Sequence, residues 1–503
     1  MKTTKFALSM VTILSVGVLA SCTDLVTKEV DSRVVKTVAG GKTDAKAADL
    51  LQASYNDLSS FTDQASIYSL YEHVTDELIP PTRGVDWSDN GVWRSLYTHT
   101  WDPSHSNVLS AWNTLNQNAF RCSIILDAAD VTDKQIAEAK FLRAWNTYFL
   151  MDLFGQVPLR GTTDGPDVLP VVRTRSQVFD DIVKDLTDAL PKLSVSGPFT
   201  SSDIPNPTAT RAAANTLLAR LYLNKAIYKS ESGVGPYTFD NADMQKVIDY
   251  CDAVTADGYA LADNYFDNFK AAGTSEVILT SQQGSPQNRV YMTLHYNQNP
   301  SGWNGFATLA DFYGKFQTGD QRKGFPAKGD GSTYSGIGLG FLVGQQIDDN
   351  GKNLTDSRTN IPLSFTGEVL LSGAPTGSGI RAIKYHPATY GKYVLLRYGD
   401  VVTMKAEAQL RKGDTAGALT TVNTLRAKRG AAALGSIDLS AMLDERGREM
   451  YWEGVRRIDL IRYEKFNEDW SQKGSNKDAF RVLYCIPQQA LDSNPNLKQN
   501  PGY

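Results

Sequence analysis

The amino-acid sequence predicts a mainly α protein: a frame of tetratricopeptide-like helix pairs that carries a loop-rich insertion with short β-strands. Three observations lead there. Apolar residues recur at helical spacing in three separate regions, and each region holds two such stretches in succession. Stretches of this kind cannot bury their apolar faces alone, so they stack on neighbours. The segment 261–392 breaks the pattern, holding 19 of the chain's 40 glycines together with many Asn, Ser and Thr. A chain of 503 residues, 41% hydrophobic and 21% charged, is ample for such an assembly.

The N-terminus reads as an address. Lys2 and Lys5 precede an apolar run from Phe6 to Leu19, and Leu19-Ala20-Ser21-Cys22 has the form of a lipobox. Residues 1–21 are expected to be a lipoprotein signal peptide, and the Cys22 thiol is the expected acceptor of the lipid. Residues 22–45 then form a polar, lipidated tether with Gly40-Gly41 as its hinge. Acyl chains contribute about 0.8 kcal/mol per buried CH₂, so a multiply acylated Cys22 would hold the protein on a membrane.

The helical part continues over 46–260. Residues 46–60 are expected to pair with 106–129. Thr132-x-x-Gln135 and Thr174-x-x-Gln177 are capping boxes, Gly155 ends the first of these helices and Pro191 stops the second. Arg211–Asn224 and Met244–Ala256 form the next pair. After the insertion, residues 393–503 resume the pattern. Tyr393–Arg411 reads as one helix and Thr415–Arg429, capped by Asp414, as its partner, with Ala406 and Ala418 small enough to let the two approach. Within the insertion, Glu276–Thr280 and Val290–His295 read as strands. Cys122 and Cys251 lie on helical patterns and Cys485 in a strand-like run; all three read as buried free thiols.

Several functions are disfavoured. A net charge of −4 does not suit a nucleic-acid binder, which needs a basic face. Five scattered histidines and four cysteines suit neither a multi-histidine metal site nor a disulfide scaffold. Gly336-x-Gly338-x-Gly340 lacks the helix and spacing of a dinucleotide fingerprint. Asp348-Asp349-Asn350-Gly351 lacks the spacing and terminal glutamate of an EF-hand and reads as a hairpin turn. No cofactor is expected. Glu445, Glu449 and Glu453 would line one helical face, but arginines at 446, 448, 456, 457 and 462 are expected to pair them into a structural network.

Four segments together resemble the SusD/RagB family of outer-membrane nutrient-binding lipoproteins. They are Ala137–Leu159, Ser301–Arg322 with its Trp303-Asn304-Gly305 and Asp320-x-Arg322, Glu445–Arg462 (ERGREMYWEGVRRIDLIR), and Ile486–Tyr503. The resemblance implies four tetratricopeptide units as a scaffold. It implies a partner, a SusC-type TonB-dependent transporter over which the protein sits as a lid, facing the cell exterior. It also implies non-catalytic binding of an oligo- or polysaccharide, although some relatives bind peptides.

Sugar rings stack on flat aromatic faces, and their hydroxyls take paired hydrogen bonds from planar polar groups. Trp87, in the loop near 80–91 (Pro80–Gly91), fits the first need. Pro, Gly, Asp and Asn deny that loop regular structure, and the resemblance implies a sugar-stacking tryptophan there, as in the corresponding loop of many relatives. Trp303 is the candidate second wall. Tyr291 and Tyr296, an odd number of positions apart on an expected strand, would point to opposite faces. Arg83, Asp86, Asn90 and Arg381 are the polar candidates. Trp93, Trp101, Trp112, Trp145 and Trp452 are expected to be packing residues. The low net charge favours a neutral glycan. The rivals are a peptide-binding importer subunit and a tethered glycoside hydrolase using Asp86 and Asp89.

Overall fold

A computed structural model describes residues 37–38, 41–165, 167–195, 207–230 and 233–503. The signal peptide, Cys22 and most of the tether lie outside the described residues. Thr132 and Thr174 each close a capping box: the hydroxyl accepts from the Gln three residues on, and the Gln side chain returns to the threonine N–H. These caps start the helices Asp133–Phe154 and Arg175–Ala189. Gly155 ends the first in the left-handed region at φ 71°. Asp414 caps Thr415–Lys428 by accepting from the Gly417 N–H.

The helices form a continuous stack. Thr415–Lys428 packs on Tyr398–Arg411, which packs on Asn241–Ala256 and through it on Arg211–Leu223. The stack continues through Arg175–Ala189, Asp133–Phe154 and Ser106–Asp127 to Ala47–Asn56. Asp133–Phe154 sits between two neighbours, which is why it is buried on nearly every side and lacks a polar face. Its Trp145 is fully buried, with ring centroids 5.6 Å from Phe61 and 5.1 Å from Phe149. Ala406 and Ala418 meet in a shared core with Val422 and Met442, as their size predicts. Cys122, Cys251 and Cys485 are free and buried.

Two expected elements take another form. Tyr393–Arg411 is not one helix: Val394–Arg397 is a strand paired antiparallel with Val277–Thr280, and the helix begins at Tyr398. Val290–His295 is not a strand. Gln287–Tyr291 is a helical turn that leads into tight turns, and Val290, Met292 and Leu294 all reach one aromatic core. A short apolar run carries no periodicity that separates these two states. The inference that Tyr291 and Tyr296 face opposite ways therefore falls with the strand.

The insertion otherwise combines short helical turns, at Tyr265–Phe269, Ala310–Gly314 and Gln321–Lys323, with short antiparallel strands, Leu339–Leu342 lying between Gly324–Phe325 and Arg381–Ile383. Ile347 bridges Asn353, making Asp348–Lys352 the hairpin turn expected there. The insertion is fastened to the frame by buried charge. Arg322, beside Asp320, reaches Glu445 at 2.7 Å and Glu449 at 3.2 Å. Glu449 also takes Arg397 and Arg429, and Glu453 takes Arg397 and Lys384. Burial would raise these carboxyl groups, but the surrounding arginines hold Glu445, Glu449 and Glu453 below the ordinary range. The network is structural, as expected, but its partners differ. Of the five nearby arginines, Arg448 alone pairs with one of the three glutamates, Glu445. Arg446 turns to Asp400 and Asp459, Arg456 to Asp76, Arg457 to Asp152, and Arg462 to Glu407 and Asp459.

Candidate functional site

Two loops meet over the aromatic core. The first, residues 80–91, is tied at its base by Ile79 to Ala307 and by Thr82 to Leu371 and Ala374. Gly84, Trp87, Asp89, Asn90 and Gly91 all take positive φ, so the chain turns repeatedly and lifts Trp87 across the second loop. That second loop, residues 299–306, is moulded on the helical turn behind it. The N–H groups of Trp303, Asn304 and Gly305 donate to the carbonyls of Tyr291, Leu294 and Met292 at 2.6, 2.8 and 2.9 Å. Such close backbone approach requires glycine at 305, where a Cβ would lie 2.7 Å from the Met292 oxygen.

The outcome is a row of rings. Tyr291 lies 5.6 Å from Trp303, Trp303 lies 6.3 Å from Trp87, and Trp87 lies 4.7 Å from Phe306 and 5.7 Å from Trp93. The Trp87 indole N–H donates to the Trp303 carbonyl at 2.9 Å. Trp303 is 39% exposed, Tyr291 and Trp87 are half-buried, and Trp93 and Phe306 are buried beneath. Trp87 is thus less free than a loop tryptophan suggests; it caps the core while showing part of its ring. Trp93, Trp101, Trp112, Trp145 and Trp452 are buried.

A polar cluster borders the rings. The Tyr296 hydroxyl donates to Asp86 Oδ2 at 2.6 Å. Arg358 Nη1 donates to the same oxygen at 2.6 Å, and its guanidinium lies 3.8 Å over the Tyr296 ring. The Tyr296 and Arg358 bonds hold Asp86 below the usual carboxylate range. Asn297, next in sequence, exchanges hydrogen bonds with Ser357, so the hairpin bearing Arg358 is pinned beside the rings. Asn90 stands exposed on the first loop.

Arg83 and Arg381 do not join this surface. Both are buried, at 3% and 0% exposure, and lie behind it. Arg83 donates to the carbonyls of Asn304, Pro375 and Ser378. Arg381 donates to the carbonyls of Ser378 and Gly379 and to Asn304 Oδ1. They brace Asn304, whose φ of 51° turns the loop between Trp303 and Gly305. Burial pushes Arg83 down to about 10 and Arg381 well down from its ordinary value. Arg358 was not singled out from the sequence; its only local signal is a lone cation in a polar turn, Thr355–Asn360.

This surface offers rings for stacking and side chains for hydrogen bonds. A general acid of a glycosidase needs a raised pKa. Asp86 is held down instead, and Asp89 accepts the Trp93 indole N–H. A cavity of about 730 Å³ lies alongside, lined in part by Asp356, Ile361, Leu370 and Thr376. No aromatic ring lines it, so it lacks the flat faces that sugar stacking uses. Among the described residues there is no group of three or more His, Cys, Asp or Glu placed to hold a metal ion. No helix among them is long and apolar enough to cross a membrane.

Comparison with known proteins bears on the family and the fold. The family model described as the SusD family matches residues 381–503. The one described as starch-binding and associating with the outer membrane matches residues 40–223. The starch-binding protein SusD of Bacteroides thetaiotaomicron is 24% identical over 472 residues, covering 83% of this chain and 82% of its own length. A laminarin-binding SusD-like protein of known structure superposes with a TM-score of 0.65 at 21% identity, over 91% of this chain and 99% of that one. Surface glycan-binding protein A of Bacteroides uniformis gives 0.65 at 18% identity, over 90% and 98%.

Proposed function

We propose, on the premise that this chain belongs to the SusD family, that it is a non-catalytic glycan-capture protein. It takes an oligo- or polysaccharide, neutral in charge, on the face formed by Trp87, Trp303 and Tyr291. It is anchored through Cys22 to the outer membrane, facing the cell exterior, and passes its ligand to a SusC-type TonB-dependent transporter. The observation that carries the reading is the row of three partly exposed rings with hydrogen-bonding side chains along one edge. Two relatives are described as binding glucans, starch and laminarin, which supports the ligand class.

The test is calorimetry with maltooligosaccharides and laminarioligosaccharides, set beside a mixed peptide pool, on the parent and Trp303→Ala. An exposed indole at a binding hot spot contributes about 1–3 kcal/mol, so the variant should bind roughly tenfold weaker or worse. Binding of peptides alone would assign the protein to the peptide importers. Equal glycan binding by parent and variant would move the site elsewhere. The partnership is read by gentle solubilisation of outer membranes: recovery of the protein alone, at native expression, would count against the transporter.

A further inference from the structure

We propose that the Arg358–Asp86 pair is the specificity element of this surface, selecting neutral vicinal hydroxyls and turning away uronate-bearing glycans. The inference rests on the reading of the Trp87–Trp303–Tyr291 face as the sugar site.

The chain sets the pair next to the residues that carry the stacking rings. Asp86 directly precedes Trp87, and Tyr296 lies on the loop that leads to Trp303. The Arg358 side chain is 51% exposed and that of Asp86 29%, so both reach solvent. The guanidinium is not free to swing. It lies 3.8 Å over the Tyr296 ring, and Nη1 is held at 2.6 Å by Asp86 and at 3.1 Å by the Tyr296 oxygen. Both bonds to the carboxylate fall on Oδ2. The edge therefore offers fixed guanidinium donors next to a carboxylate acceptor.

A sugar hydroxyl both donates and accepts, so two adjacent hydroxyls can answer Arg358 and Asp86 together. A uronate carboxylate only accepts. It would gain from Arg358, but it must sit beside the Asp86 charge, and like charges brought together oppose binding. Asp86 thus does two things at once: it holds the arginine in place and cancels the charge that would draw acidic polymers. Specificity of this kind comes from a repulsive group as much as from an attractive one.

The experiment compares the parent, Asp86→Asn, Arg358→Gln and Trp303→Ala by calorimetry. The probes are a laminarin-derived oligosaccharide, a maltooligosaccharide and an oligogalacturonate. The parent should bind a neutral probe at least tenfold more tightly than oligogalacturonate. Asp86→Asn, which keeps an amide oxygen for Tyr296 but removes the charge, should narrow that ratio at least fivefold by gaining affinity for oligogalacturonate. That gain should fade with salt, because screening shortens from about 10 Å at 0.1 M to about 3 Å at 1 M. Arg358→Gln, exposed and unable to upset the core, should weaken neutral binding about fivefold and gain nothing on oligogalacturonate. A parent that prefers oligogalacturonate overturns the proposal, as does an Asp86→Asn variant with the parent's ratio or an Arg358→Gln variant that binds neutral probes normally. Trp303→Ala separates the two readings. If it binds neutral glycan like the parent, the aromatic site itself is wrong; if it loses binding while Asp86→Asn keeps the parent's ratio, only the role of the pair is wrong.

Discussion

Gly305→Ala tests the aromatic face without removing an aromatic ring. A Cβ at 305 would lie 2.6 Å from Trp87 Cε2, 2.7 Å from Cζ2 and 2.7 Å from the Met292 carbonyl oxygen. Ordinary carbon contacts are about 3.5–4.0 Å, so something must move by roughly 1 Å. The Met292 carbonyl is held by the N–H groups of Gly305 and Phe306 at 2.9 and 2.8 Å, whereas Trp87 is half-buried on a loop. The indole should yield, tilting away from Trp303 and straining its N–H bond to the Trp303 carbonyl, while residue 305 must also draw back from the Met292 oxygen. Overpacking of this sort costs about 1–3 kcal/mol of stability. Misplacing one stacking wall should weaken glycan binding about tenfold, equivalent to about 1.4 kcal/mol. Near-ultraviolet circular dichroism would report the altered tryptophan packing, far-ultraviolet dichroism an intact helical frame, and calorimetry the affinity. The reasoning is refuted if Gly305→Ala shows the altered dichroism yet binds glycan as tightly as the parent. Trp87→Ala is the companion: it should lose affinity and also lower the thermal midpoint, since the ring packs on Phe306 and Trp93.

Three further outcomes follow from the core. Trp145→Ala should destabilise the fold by about 3–5 kcal/mol, measured by chemical denaturation, because the ring is fully buried among Phe61, Phe141 and Phe149. Glu449→Gln should cost about 3–5 kcal/mol by the same assay, since it leaves the buried Arg322, Arg397 and Arg429 short of a counter-charge. Glu77→Gln addresses pH. Glu72 and Glu77 are buried and hydrogen-bonded to each other, facing the charges of Arg289, Lys384 and Arg456. Burial pushes Glu72 up to about 7 and, with the Glu72 charge, raises Glu77 as well. The folded state then keeps a proton that an ordinary carboxyl loses near pH 4.3, so stability falls as pH rises from about 4.5 through 7. Glutamine keeps the oxygen that accepts the Trp452 N–H and donates to Glu72. Thermal midpoints of Glu77→Gln should therefore decline less between pH 5 and 8 than those of the parent, and an unchanged decline would dismiss the shared proton.

What could be read from the sequence was local. Capping boxes at Thr132 and Thr174 involve residues three apart, and the stripe on Arg175–Ala189 repeats within the helix, so both were visible without tertiary knowledge. The aromatic candidates were visible as large rings in turn-rich loops. Pairing across the chain was not. Arg446 follows Glu445 directly, and adjacent helical positions point apart, so it turns to Asp400 and Asp459; Arg448, three positions on, does pair with Glu445. The other cations on Glu445 and Glu449, Arg322, Arg397, Arg426 and Arg429, come from distant segments. Arg83 and Arg381 looked like ligand contacts because a cation is usually exposed. Here the Arg83 donors are absorbed by carbonyls far away in sequence, at Asn304, Pro375 and Ser378, and those of Arg381 by its neighbours Ser378 and Gly379 and by the distant Asn304 side chain. Arg358 escaped notice for the converse reason: its partner Asp86 lies 272 positions away.

The strand pair Val277–Thr280 with Val394–Arg397 brings the two ends of the insertion side by side. Seen as engineering, that is a socket: the chain leaves and rejoins the helices at one strand pair, so added length between the strands would cost little, since loop closure grows only slowly with length. The socket has a lock. Arg322, deep inside the module, supplies cations to Glu445 and Glu449 of the frame. A transplanted module of any other design would seat at the strands but leave those two carboxylates short of charge. Swapping recognition surfaces between such proteins therefore depends on carrying Asp320-Gln321-Arg322 along with the graft, whatever rings the new loops present.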